Sequence, residues 1–230
     1  MTLVQTTADR IKTKSYWAVT IRPARFDEHR VSDRSHLFSL VYDTAVSTNG
    51  RIIPSLDQQE PMRLGPDWIE CSAEWGTDLQ AWRFYQSGQF VLLLAVWTDW
   101  IENPTLRQIP YPTGRTLPFW DSLSTLSAVY TFASRLSLTE AGDNAMVVKT
   151  TIANLKGAQL VQDNLKKTSL RHYVFPYDTF EFPSGGPIPI AREQLVGNSR
   201  QLAAEAGNEL LRQFGFDSTV EVVARWQSET

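Results

Sequence analysis

Between Trp68 and Trp97 the chain holds three consecutive strand-like runs separated by turn signals. Trp68-Ile69-Glu70-Cys71-Ser72-Ala73-Glu74-Trp75 is followed by the turn signal Gly76-Thr77-Asp78. Ala81-Trp82-Arg83-Phe84-Tyr85-Gln86 is followed by Ser87-Gly88, a two-residue hairpin signal. Phe90 to Trp97 completes the set. Three such runs with tight connections predict antiparallel strands in a meander. Phe90-Val91-Leu92-Leu93-Leu94-Ala95-Val96 does not alternate, which predicts a strand covered on both faces. Upstream, Tyr16 to Ile21 reads as a strand that Pro23 ends. Ser32 is the expected cap of a helix carrying Leu37, Leu40, Val41 and Thr44-Ala45, which stops at Thr48-Asn49-Gly50.

Downstream, Phe119, Leu123, Leu126, Tyr130 and Ala133 recur in steps of four and three, the mark of one helix face. Ala145 to Ile152 reads as a strand, and Tyr173 to Phe182 as another, interrupted by Pro176. A helix over Arg192 to Phe214 carries Leu195, Leu202, Ala206 and Leu210 on one side, and Gly215 is its natural stop. Val220 to Trp226 is expected as a last strand. Strands cluster instead of alternating with helices, so the expected class is α+β, an antiparallel meander sheet packed by three main helices.

The 230 residues suffice for one large domain with its own core. Thr98 to Leu117 carries Pro104, Pro110 and Pro112 and little periodicity. A loop of that length is usually functional or a linker. The chain therefore reads as a single domain over 1–230, with halves at 15–103 and 117–227 as the alternative division. The N-terminus has no apolar stretch of targeting type, and the longest apolar run, Phe90 to Trp97, is far short of a membrane span. One cysteine, Cys71, excludes an internal disulfide and a cysteine-built metal site. These features point to the cytoplasm and to no membrane partner.

Motifs for chemistry are missing. There is no G-x-S-x-G elbow, H-E-x-x-H pair, C-x-x-C, Walker A loop or G-x-G-x-x-G turn. No cofactor, metal or catalytic residue is therefore assigned. Cys71 lies in mid-strand and reads as a small core residue. Glu70 and Glu74 share one strand face and read as a solvated polar face, not a carboxylate pair. Ser184-Gly185-Gly186 reads as a turn, because Pro187 and Pro189 remove donors that an anion cradle would use.

The formal net charge is −3, which argues against a generally nucleic-acid-binding surface. Its distribution is uneven. Arg10, Lys12, Lys14, Arg22 and Arg25 follow one another without an acid between them. Lys149, Lys156, Lys166, Lys167 and Arg171 make a second basic stretch, broken only by Asp163, and Asp57 to Asp78 is strongly acidic. Separated basic stretches can meet in space and form a phosphate-binding face. The second stretch, with Arg83 among the aromatics Trp82, Phe84 and Tyr85, is the candidate nucleic-acid contact. Four of the eight tryptophans, Trp68, Trp75, Trp82 and Trp97, sit in or beside the meander. Pointing outward they would form a partner-binding surface; pointing inward, an aromatic core.

The order Tyr16-Trp17 … Arg22-Pro23, then Trp82-Arg83-Phe84-Tyr85-Gln86-Ser87-Gly88-Gln89-Phe90, then a late strand and helix, resembles a bacterial domain of undefined function. That domain lies C-terminal to Schlafen AlbA-type nucleic-acid-binding modules. The resemblance implies an accessory module of a bacterial nucleic-acid-linked or defence system, and no activity or site residue. The leading expectation is a non-enzymatic binding or regulatory module that associates with a protein partner or its own copy. The alternatives are a nucleic-acid-contacting accessory protein, and an enzyme with a dispersed active site under the 98–117 loop.

Overall fold

A computed structural model describes residues 6–48, 51–56, 62–101, 115–163 and 172–228. Its centre is β1 (Tyr16–Pro23), whose aromatic and β-branched residues suit a pleated, buried strand. β1 pairs antiparallel with β7 (Phe90–Ala95) on one edge and with β9 (Ala145–Ala153) on the other. β7 continues to β6 (Asp78–Tyr85), β5 (Trp68–Trp75) and the short β4 (Arg63–Leu64). Beyond β9 lie β11 (Phe180–Phe182) and β12 (Pro189–Ala191), giving an eight-stranded antiparallel sheet. Two small pairs stand apart from it: β2 (Val46–Thr48) with β3 (Arg51–Ile53), and β8 (Thr116–Pro118) parallel to β10 (Gln159–Val161). The architecture is α+β. A single sheet and one large hydrophobic cluster draw on residues from both sides of the 98–117 stretch.

Alternation along each strand sorts the side chains. Trp17, Val19 and Ile21 of β1, Trp82 and Phe84 of β6 and Phe90, Leu92 and Leu94 of β7 face one side and are buried. That inner face carries the main helices α2 (Ser35–Thr44), α3 (Phe119–Ser137) and α4 (Arg192–Gln213), with α5 (Val220–Gln227) packed on α3 and α4. α3 is buried on nearly every side because it lies between the sheet and α4. Phe132 of α3 meets Phe90 at 4.7 Å between ring centroids. Among the described residues the opposite, outer face carries α1 (Thr7–Ile11), whose Ile11 seats on Leu79, Ala81 and Ala95 with Trp100 packed beside them. Val91 and Leu93 are therefore only half-buried, and the expected cover on both sides of β7 is partial.

The segment 220–226 is a helix, not the expected strand. Thr219 accepts from the Val222 N–H as N-cap, and Glu221 occupies the first turn. Trp226 then inserts among Phe119, Trp120 and Phe216. The stretch expected as one strand over 173–182 contributes only β11 at its end and an isolated bridge at Val174. Ser32 does not cap α2; Asp33 accepts from the Ser35 N–H instead. Gly185 and Gly186 take φ of +87° and +111°, consistent with a plain turn before β12.

Replacing Phe132 by alanine leaves a cavity between α3 and β7. The expected cost is about 3–5 kcal/mol, read as a lowered midpoint in urea unfolding with an unchanged slope.

Candidate functional site

The outer face holds a groove of about 340 Å³, walled by α1 on one side and by β4, β5 and β6 on the other. Register builds it. Arg63 stands opposite Glu70, Glu70 opposite Arg83, Arg83 opposite Val91, Val91 opposite Thr20 and Thr20 opposite Lys149. These six side chains form one row across the outer face. The neighbouring row, Ser72, Ala81, Leu93, Ala18 and Thr151, is made of smaller side chains and lies along the floor.

Arg83 is the fixed point of the groove. Its Nε and Nη2 donate to Glu70 Oε2 at 2.9 and 2.5 Å, and its Nη1 donates to Tyr85 Oη at 3.3 Å. The guanidinium lies 4.3 Å from the centroid of the Trp68 ring. These contacts use three of the five N–H donors of an arginine. The side chain remains 39% exposed. Arg63 approaches the other oxygen of Glu70 at 3.7 Å. Lys12, at the end of α1, borders the same groove and makes no ion pair among the described residues. Two arginines thus converge on one carboxylate, and Lys12 lines the same groove.

The α1 wall is held by polar ties. Thr7 Oγ1 and Arg10 Nη1 both donate to Glu74, so Glu74 serves Arg10 while Glu70 serves Arg63 and Arg83. Asn154, in the left-handed region at φ 60°, donates through its side chain to the carbonyls of Lys12 and Lys14. Its own carbonyl accepts from Ser15 Oγ and Arg115 Nη1.

The sequence-expected residues separate into distinct places. Arg83 lines the groove, and Lys149 lies on the same row, 3.2 Å from Glu181. Lys156 is exposed in the turn after β9. Lys166, Lys167 and Arg171 lie outside the described residues. The four tryptophans do not share a surface. Trp82 is 2% exposed and donates its Nε1–H to the Ser55 carbonyl, so it belongs to the core and not to a partner surface. Trp68 is half-buried beneath Arg83, Trp97 is half-buried in a 3₁₀ turn, and Trp75 is exposed at the tip of the β5–β6 hairpin. An odd separation along β5 sends Trp68 and Trp75 to opposite faces. Cys71 is buried on the inner face. The sequence set Tyr85 beside Arg83 but did not point to Lys12 and Arg63 as its companions, which strand register and the placement of α1 bring to it.

A second polar cluster lies between β3, β6 and the start of α3. Arg51 bridges Asp78 and Asp121 at 3.2 Å each. Asp163 accepts from the N–H groups of Trp120 and Asp121 at 2.8 Å, closing the first turn of α3. Among the described residues no group of three or more metal-ligating side chains is assembled, and no helix is long and apolar enough to cross a membrane. The Arg25 guanidinium, with Arg30 beyond it, holds the Asp143 carboxyl well below the usual range and ties the segment after β1 to the start of β9.

No family model matches the chain, and no curated protein and no solved structure matches it.

Burial pushes the Asp163 carboxyl up to about 6; nearby Asp121 adds to the rise, and the two backbone N–H bonds oppose it. The folded state therefore holds a proton there that the unfolded chain releases near its ordinary value of 3.8. This contribution to stability is present below the unfolded value and is lost as pH rises through about 6. Thermal unfolding across pH 4 to 6 should show it as a decline that Asp163→Asn flattens. An unchanged pH profile in the variant would contradict the assignment.

Proposed function

We propose that this chain is a non-enzymatic binding module that seats an anionic group in the groove between α1 and β6. The observation that carries this reading is Arg83. Glu70, Tyr85 and Trp68 fix its guanidinium, while two N–H donors remain unspent beside the cavity. A pre-oriented guanidinium loses little freedom on meeting an oxyanion, and its fork matches a phosphate or carboxylate. Lys12 and Arg63 add charge of the same sign at the rim.

Binding is favoured over bond-breaking because Glu70, the one carboxylate lining the groove among the described residues, is ion-paired to both arginines and is not free to act as a base. The apolar side of the groove, Ala81, Val91 and Leu93, suits a flat ring next to the anion. The volume is near the lower end of small-ligand sites, about 300–1,000 Å³. This reading keeps the expectation of a binding module. It places recognition at a cationic groove instead of at a tryptophan surface.

Phenyl phosphate combines a flat ring with an oxyanion and is the direct probe. Calorimetric titration should give saturable binding that Arg83→Lys weakens about tenfold, near 1.4 kcal/mol, with the melting temperature little changed. Absence of saturation with the wild-type chain, or equal affinity in a folded Arg83→Lys variant, defeats the reading.

A further inference from the structure

We infer that the groove is one seat of a longer track for single-stranded nucleic acid, which crosses the outer face of the sheet from β6 towards β9. The inference rests on the groove reading and extends it along the same register rows.

The floor does not end at the cavity. Ser72, Ala81 and Leu93 continue into Ala18 and Thr151, so no bulky side chain on this row blocks the path from β5 to β9. Cations flank that path at both ends. Arg83 and Lys149 occupy one row, three strand gaps or about 14 Å apart. Arg22 lies two residues along β1 from Thr20, on the same face as Lys149, and makes no ion pair among the described residues. Lys12 stands on the opposite bank.

Among the described residues, the acids on the sheet strands of this face are already engaged, and Asp9 of α1 is held in the Thr6 capping box. Glu70 is held by Arg63 and Arg83, Glu74 by Arg10 and Glu181 by Lys149. Positive charge is therefore in surplus here, although the whole chain is negative. A polyanion with regularly spaced charges fits such a row better than one small anion does. A single strand exposes base faces that can lie on Leu93, Val91 and Tyr85, whereas a duplex conceals them.

The test compares four probes by fluorescence anisotropy and calorimetry: phenyl phosphate, a ten-nucleotide thymidine strand, a hairpin duplex of equal charge, and polyglutamate of equal charge. The single strand should bind most tightly, with affinity falling steeply as salt rises. Lys149→Glu and Arg22→Glu should each weaken strand binding about fivefold and lower the salt slope by about 0.7 for each phosphate no longer neutralised. Phenyl phosphate binding should be untouched by both variants. If phenyl phosphate binds but both variants leave strand affinity unchanged, the track is overturned and the groove stands. Equal or tighter binding of the duplex or of polyglutamate also overturns it. Failure of phenyl phosphate and strand alike removes both.

Discussion

Strand β1 is paired along both edges, and the two faces of the molecule follow from that pairing. Trp17, Val19 and Ile21 must enter the core together, which sends Ala18, Thr20 and Arg22 to the other side. The same register aligns β7 and β9, distant in sequence, so that their small and cationic residues fall into common rows. A shift of one residue would bury Arg22 and expose Trp17, so the hydrophobic face fixes the position of the polar one. Recognition chemistry on the outer surface is thus specified by packing on the inner one.

Electrostatics then works by local cancellation. Glu70, Glu74 and Glu181 are each matched with an arginine or lysine on an adjacent strand or on α1. Other acids are occupied well away from that face: Asp143 by Arg25, and Asp78 and Asp121 by Arg51. An acidic protein can therefore present a cationic face without any long basic run. Pairing at the surface adds little stability in itself. What it supplies is orientation, as in Arg83, whose plane is set by a carboxylate, a phenol and an indole.

Much of this was legible from the chain alone. The alternation and turn glycines of the meander gave β5, β6 and β7, and the four-and-three spacing after Phe119 gave α3. The burial of Cys71 also followed from its mid-strand place. The last helix was not legible, because the β-branched run Val220, Val222, Val223 favours a strand locally, whereas burial of Trp226 in an aromatic cluster decides for a helix. The groove was hidden for another reason. Arg63, Arg83 and Lys149 become neighbours of one surface through strand register, and register depends on which strands pair. Treating four tryptophans as one surface failed on parity, since Trp82 shares its face with Phe84 and not with Arg83.

The groove's wall on one side is a helix of five residues, too short to be stable without tertiary support. It is anchored by Ile11 in a small apolar satellite, by two bonds to Glu74 and by the amide of Asn154. None of these anchors belongs to the main core. The aperture of the groove can consequently widen or narrow at a free-energy cost set by the burial of Ile11 and a handful of polar ties, while the eight-stranded scaffold stays intact. Occupants of different girth can then be accommodated by the adjustable bank without strain reaching the rigid one that carries Arg83.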